Sequence, residues 1–141
     1  MLRMILNKEV LTRDKAETRG LLQTAGAAHL LVDAARSWGR AREAGQPVQP
    51  CVFKALCVHD CGLAAPAVDS LMTLCEAALQ RRLALGASTA RSDDERLLVA
   101  LMQGASARDA CIDCPGGLGV ALDSAVDAVQ TILVNEARLP A

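Results

Sequence analysis

Alanine and leucine occupy about a third of this 141-residue chain, whereas aromatic residues account for only 1% of it. Both are strong helix formers, and the residues that favour strands are scarce. The sequence therefore predicts an all-α fold, a single-domain bundle of four to five helices in which short connections join antiparallel neighbours. We assign residues 1–141 to this one helical domain. Residues 1–12 form either an N-terminal arm or an extension of the first helix.

Glycine and proline divide the chain into segments whose apolar residues recur at steps of three and four. The predicted helices cover residues 13–43, 51–61, 66–85, 93–103 and 118–137. A connector over 45–50, a loop over 87–91 and a polar loop before Cys111 separate them. Gly62 is expected at the C′ position of the second helix. The predicted buried faces include Leu21, Leu22, Ala25, Ala28, Val32, Ala35 and Gly39 in the first helix, Val52, Phe53, Leu56 and Cys57 in the second, and Leu118, Leu122, Ala125, Val126, Val129, Ile132 and Leu133 in the last.

The segment from Ser92 to Glu95 predicts the start of the fourth helix. The Ser92 side chain can accept a hydrogen bond from the backbone three residues on, and Glu95 can reach back to the Ser92 amide. The two intervening aspartates, Asp93 and Asp94, favour the positive end of the helix dipole. The spacing therefore predicts a capping box at this position.

The charge balance excludes several classes of function. Lys and Arg number 15 and Asp and Glu number 16, for a net charge of −1, which argues against a generally basic nucleic-acid binder. One Trp and one Phe cannot form a surface for stacking bases. No run of about 18 apolar residues predicts a membrane span, and the N-terminus lacks a signal-peptide core. We expect a cytoplasmic protein that does not bind a membrane. We also expect a homodimer, because a net charge near zero gives little repulsion between two copies.

Six cysteines form the most distinctive chemical pattern in the chain. Cys57 and Cys61 are one helical turn apart and are expected to share a face, and Cys111 and Cys114 form a C-x-x-C at a loop-to-helix junction. Together these four thiols could hold zinc or an iron–sulfur cluster. A thiolate at the junction would also be stabilised for redox chemistry by the helix dipole and by Arg108. The alternative is buried or loop-covered thiols, which we expect for Cys75.

Residues 54–73 have the shape of a helix-turn-helix with Gly62 in its turn. The face that would meet DNA carries small or acidic residues and no Lys or Arg, so phosphate contacts would be few. We therefore expect a helical hairpin, with DNA binding as the weaker alternative. The exposed residues predicted for that face are Ala64, Ala65, Ala67, Asp69, Ser70 and Thr73.

Two further patterns bear on anion binding. The glycines of residues 116–119 precede a helix but lack the Lys and hydroxyl residue of a P-loop. A solvated face is the default expectation for six arginines, and a surface patch is the alternative: Arg36, Arg40, Arg42, Arg81, Arg82 and Arg91. Trp38 beside it marks either an interface or the edge of the core, and His29 and His59 are expected at the surface.

No catalytic residues are predicted, since the chain has no H-E-x-x-H motif, nucleophile elbow or di-iron helix motif. We leave enzymatic activity open, with the sequence pointing away from it. The sequence favours a non-catalytic protein-interaction or regulatory factor that needs no cofactor. The main alternative is a metal or thiol-redox module that uses Cys57, Cys61, Cys111 and Cys114.

Overall fold

The computed structural model describes residues 25–136, which contain six α-helices, one short 3-10 helix and no strand. We label them α1 (residues 25–43), α2 (Val48–Cys57), η1 (the 3-10 helix Gly62–Ala64), α3 (Ala65–Leu79), α4 (Asp93–Leu101), α5 (Ala105–Cys111) and α6 (Gly116–Glu136). The predicted all-α class is confirmed. The proposed arm over 1–12, the predicted first helix before residue 25 and the chain beyond residue 136 lie outside the described residues.

The core forms where α3 packs against both α2 and α6, and α1 contributes several of its side chains. The apolar stripe predicted for α6 is largely confirmed, with its outer members Leu118 and Ile132 only half-buried. Fully enclosed side chains come from α1 (Leu31), α2 (Val52, Leu56), α3 (Val68, Leu71, Met72), α4 (Leu98, Leu101) and α6 (Leu122, Val129, Leu133). Burial of this apolar surface supplies the main driving force for folding.

The α2 helix is shifted toward the N-terminus relative to the prediction. It begins at Val48, with Pro50 in its first turn, where a missing N–H costs nothing. It ends at Cys57, and Asp60 takes the left-handed conformation with φ 58° that was expected of Gly62. Gly62 instead begins η1, where a Cβ atom would lie 2.7 Å from Cε2 of Phe53. A side chain here would displace the Phe53 ring, so close packing, not a turn conformation, favours glycine at this position.

The α3 helix is shorter than predicted, because it ends at Leu79 and not at Leu85. Gln80 adopts the left-handed conformation with φ 56°, which stops the helix. Leu83 continues the apolar spacing of α3 and is still buried, but from an irregular segment. We call residues 80–92 the α3–α4 connector.

The α5 helix replaces the polar loop that was predicted before Cys111. Gly104, with φ 108°, precedes this seven-residue helix. The Ile112 amide donates to the Arg108 carbonyl at 2.8 Å as the helix ends. Its sequence is rich in alanine, a strong helix former, but two turns are too short to show an apolar stripe.

Two described segments are long and apolar enough to cross a membrane, Gly62–Leu79 and Gly116–Asn135. Length and composition alone select them, and the core helices of globular proteins share both properties. Both segments place side chains in the core, among them Leu71 and Val129. The cytoplasmic location stays a prediction.

Candidate functional site

Three arginine–carboxylate pairs surround the α3–α4 connector. Arg36 of α1 pairs with Glu95 of α4, Arg42 of α1 with Glu76 of α3, and Arg81 of the connector with Asp94 of α4. In each pair the guanidinium donates to both carboxylate oxygens. Such paired bonds fix the geometry as well as the distance.

Glu95 is the most enclosed of the three carboxylates, since its side chain is 0% exposed. Arg36 Nε donates to its Oε2 at 2.7 Å, and the Gly86 amide donates to the same oxygen at 3.0 Å. The Ser92 amide donates to Oε1 at 2.8 Å, and the Glu95 amide donates to Ser92 Oγ at 3.1 Å. The predicted capping box is thus confirmed. The Arg36 hydrogen bond, with those from the two amides, lowers the pKa of Glu95 to about 2.

The other two carboxylates also accept backbone hydrogen bonds from the connector. The Leu83 amide donates to Glu76 Oε2 at 2.8 Å, and the Ala84 amide donates to Asp94 Oδ2 at 2.6 Å. Burial alone would raise the pKa of Glu76, but the bonds from Arg42 and Leu83 outweigh it and the pKa is lowered. The bond from Arg81 lowers the pKa of Asp94. All three carboxylates are therefore held in the charged form.

A pocket of about 260 Å³ opens between α1 and the connector. Four of the six arginines predicted as a surface patch line it, together with one glutamate and several small or apolar residues. The lining consists of Arg36, Gly39, Arg40, Arg42 and Glu43 from α1 and Arg82, Leu83, Leu85, Gly86 and Ala87 from the connector. Within residues 25–136, neither Arg40 nor Arg82 forms an ion pair. The arginines that line the pocket thus divide into two that are hydrogen-bonded to carboxylates, Arg36 and Arg42, and two that form no ion pair, Arg40 and Arg82.

Trp38 lies at the edge of the core beneath this pocket wall. Its ring is buried, and its Nε1 donates to Asp69 Oδ1 at 2.9 Å. The Arg42 guanidinium stacks over the ring at 4.2 Å from the centroid, a favourable cation–π arrangement. Of the two roles considered for Trp38, the structure shows the one in the core.

The four candidate metal or redox cysteines differ in their surroundings. Cys57 is exposed at the end of α2, while Cys61 is buried beyond it, so the two do not share a helix face as predicted. Cys111 is exposed at the end of α5, and Cys114 is half-buried before α6. Across residues 25–136, no three or more His, Cys, Asp and Glu side chains cluster as a metal site would need.

The remaining cysteines and histidines lie where simple packing predicts. Cys75 is enclosed in the core, and burial raises the pKa of its thiol to about 12, so it stays protonated. Cys51 is half-buried in α2. His29 is exposed, and its Nε2 lies 3.5 Å from Oδ2 of Asp33 in the same helix. His59 is exposed in the turn after α2.

Arg108 links the C-x-x-C segment to the first turns of α6. Its Nε donates to Asp123 Oδ1 at 2.7 Å, and its side chain is largely buried. A Cβ atom on Gly119 would lie 3.3 Å from the guanidinium, so this glycine leaves room for the arginine. The bond to Asp123 is the main cause of a raised pKa of Arg108. Part of the glycine-rich stretch thus makes space for a neighbouring side chain.

An apolar patch is exposed where α2 meets η1. We call Phe53, Cys57, Val58 and Leu63 the α2–η1 patch. Val58 is 79% exposed, Leu63 81% and Phe53 49%. Gly62 packs beneath Phe53 and Cys57, so these two side chains lie together, and Val58 and Leu63 are the chain neighbours of Cys57 and Gly62. Phe53 and Cys57 were predicted to be buried; they are exposed, and the part of η1 that packs against them is Gly62, which has no side chain to cover them.

The helical hairpin over 54–73 differs from the predicted DNA-facing arrangement. Ala64 and Ala65 are buried against the core and unavailable to a groove. Asp69 is engaged by Trp38 and by Gln49, whose Nε2 donates to it at 3.0 Å. Ser70 and Thr73 are exposed. The hairpin therefore presents fewer side chains to a duplex than the sequence suggested.

No protein-family model matches the sequence, and neither a curated protein nor a solved structure shows significant similarity to it.

Proposed function

We propose that this domain is a non-catalytic protein-interaction factor that forms a two-fold dimer through the α2–η1 patch. The proposal rests on the exposed apolar side chains of Val58 and Leu63, because the contact of these side chains with water is unfavourable in the free monomer. Association would bury them together with the Phe53 ring. Large apolar side chains that adjoin one another at a surface are typical of protein contact sites.

The charges beside the patch favour a second copy of this chain as the occupant. Lys54 shares a helix face with Val58, and Asp60 lies in the turn that follows. Both side chains are exposed. In a two-fold interface a contact between residue i and the partner's residue j is repeated as one between j and the partner's i, so Lys54 of each copy can pair with Asp60 of the other. A patch with one charge of each sign is therefore self-complementary.

The oligomeric state tests this proposal. We expect light scattering after gel filtration to give the mass of a dimer for the wild type and of a monomer for the double substitution Val58→Ser with Leu63→Ser. Val120→Ser is the matched control, because Val120 is an exposed valine on α6 outside the patch. The proposal is contradicted if the wild type is a monomer at a protein concentration about 100 times the Kd of an ordinary dimer. It is also contradicted if the double variant is still a dimer.

A charge swap tests the predicted pairing across the interface. Lys54→Asp and Asp60→Lys should each weaken dimerisation by placing like charges together. The double swap restores opposite charges and should recover much of the affinity. If both single variants dimerise as the wild type does, these residues do not meet across the interface.

A thiol-redox role for Cys111 and Cys114 is the second candidate, favoured by their C-x-x-C spacing and by the exposure of Cys111 next to the half-buried Cys114. A small disulfide oxidant would form a mixed disulfide with one thiolate. The second thiolate would then displace the oxidant's thiol, leaving an internal disulfide and two electrons transferred. Mass spectrometry after oxidation should show the loss of two hydrogens in the wild type and in Cys51→Ser, but not in Cys111→Ser.

Metal content separates this redox role from the four-cysteine metal site that the sequence allows. Protein purified without oxygen or chelator should be assayed for zinc and iron together with its titratable thiols. About one zinc per chain with four shielded thiols would favour a site formed by Cys57, Cys61, Cys111 and Cys114. Six titratable thiols without metal would leave the redox pair and the interaction domain as the candidates.

A further inference from the structure

We propose that the pocket between α1 and the α3–α4 connector binds a small phosphomonoester, with the phosphate held by Arg40 and Arg82 and a short apolar portion directed to Leu85. This site is separate from the α2–η1 patch and does not depend on dimerisation. The proposal rests on the division of the pocket's four arginines between structural and unpaired roles. It also rests on the size and composition of the pocket.

Two of the arginines are fixed by the fold. Arg36 donates to Glu95 and to the Ala90 carbonyl, and Arg42 donates to Glu76 while it stacks on Trp38. Their charges are largely balanced by these carboxylates. They form a rigid wall and supply little net attraction for an anion.

Arg40 and Arg82 are the groups available to a ligand. Both side chains are exposed, and neither forms an ion pair within residues 25–136. They line the pocket from two different elements, one from α1 and one from the connector. Guanidinium groups match phosphate through two parallel hydrogen bonds, so two of them can hold most of its oxygens.

The dimensions of the pocket restrict the ligand to a small molecule. A volume of about 260 Å³ lies just below the range of about 300–1,000 Å³ that is typical of drug-sized ligands. No aromatic residue lines it, so a nucleotide base would have no stacking partner. Leu83 and Leu85 provide apolar surface beside the arginines. A phosphate ester with a short carbon chain fits these features better than a nucleotide does.

Substitution of Glu43 provides a test in which the expected change in phosphate affinity is opposite to that for the arginines. It lines the pocket, is exposed, and forms no ion pair among the described residues. Its carboxylate repels a bound phosphate, so Glu43→Gln should tighten binding whereas loss of an arginine weakens it. A loss of stability alone would not tighten binding, and general attraction of the anion to the protein's charge is tested separately with Arg96→Gln.

The experiment is a titration of ¹⁵N-labelled full-length protein with propyl phosphate and with inorganic phosphate at fixed ionic strength. We expect saturable amide shifts at Gly39, Gly86 and Ala87, and tighter binding of propyl phosphate. Arg40→Gln and Arg82→Gln should each weaken binding about tenfold, as expected for a lost hydrogen bond to a charged group. Arg96→Gln is the matched control, because Arg96 is an exposed arginine of α4 outside the pocket.

Several outcomes would overturn the proposal. Shifts spread over other basic surfaces, or equal weakening by Arg96→Gln, would indicate general charge attraction. Equal affinity for the two probes would remove the role assigned to Leu85. Because Arg40 and Arg82 are exposed, both variants should keep the wild-type melting temperature, so a loss of binding reports on the site itself.

Discussion

Two regions of this molecule are stabilised in different ways. Where α3 packs on α6, the contact is apolar, with Leu71 and Val129 both fully buried. Where the α3–α4 connector meets α1 and α4, three carboxylates accept hydrogen bonds from arginines and from backbone amides. The first region is made of regular helices and the second of irregular chain.

The difference follows from the needs of the backbone. A helix satisfies its own N–H groups, so its packing face is free to be apolar. The connector has no such internal pairing, and its Leu83, Ala84 and Gly86 amides need acceptors from elsewhere. Glu76, Asp94 and Glu95 provide them. Stability in the connector should therefore depend on charge, whereas stability at the α3–α6 contact should depend on volume and desolvation.

The largest effect is expected at the apolar contact. Val129→Asp places an unpaired carboxylate at a fully buried position. Burial of an unpaired charge carries a large desolvation free energy. We expect the domain to lose its cooperative unfolding transition by circular dichroism. Val120→Asp on the same helix is the control, because its position is 67% exposed and the fold should persist. A well-folded Val129→Asp protein would show that the α3–α6 contact tolerates charge and would erase the distinction between the regions.

Loss of a carboxylate should be the next largest effect. Glu95→Ala leaves the Arg36 guanidinium and two backbone amides without their acceptor, and we expect a loss of about 3 kcal/mol in urea unfolding. Asp93→Ala removes a carboxylate whose ion pair with Arg96 is exposed, so its effect should be near the error of the measurement. Equal effects of the two substitutions would show that the Glu95 network adds nothing specific.

The regular parts of the fold were predictable because their sequence patterns are local. The Ser92–Glu95 capping box lies within four residues, and the α6 stripe repeats over several turns, so both were read correctly. The predicted first-helix face was only partly right: Ala25 is exposed, whereas Leu31 and Trp38 are buried. Alanine-rich helices show weak contrast between faces, and the partners that select one face lie far along the chain.

The candidate site was only partly predictable, because its contacts join distant residues. The arginines of the patch were recognised, but not which of them are paired. Arg36 and Glu95 are 59 positions apart, and no local spacing connects them. Leu83 continues the apolar spacing of α3, so the sequence predicted that the helix extends past Gln80. The left-handed conformation of Gln80, where the connector begins, was therefore not predicted. A carboxylate inside an apolar helix, as at Glu76, was the available indication of a charged partner.

Acid should weaken the connector before the apolar contact. The pKa of Glu95 falls from 4.5 to about 2 on folding, and those of Glu76 and Asp94 are also lowered. Their stabilisation is complete above the unfolded-state pKa and is lost as the pH falls through the folded-state pKa. The free energy of unfolding should therefore decline from about pH 5 toward pH 2. Urea titrations should give a shallower decline for Glu95→Gln, and identical slopes would contradict this assignment.

The smallest effect should come from the cap that joins the connector to α4. The Ser92 hydroxyl accepts from the Glu95 amide and donates to the Ala84 carbonyl at 2.7 Å. Ser92→Ala removes both bonds and should cost about 0.5–2 kcal/mol. Ser88→Ala in the same connector is the control, since its hydroxyl is exposed and its contact to Ala90 is long at 3.4 Å. No measurable change for Ser92→Ala would mean that Arg36 and Glu95 alone position this end of the connector.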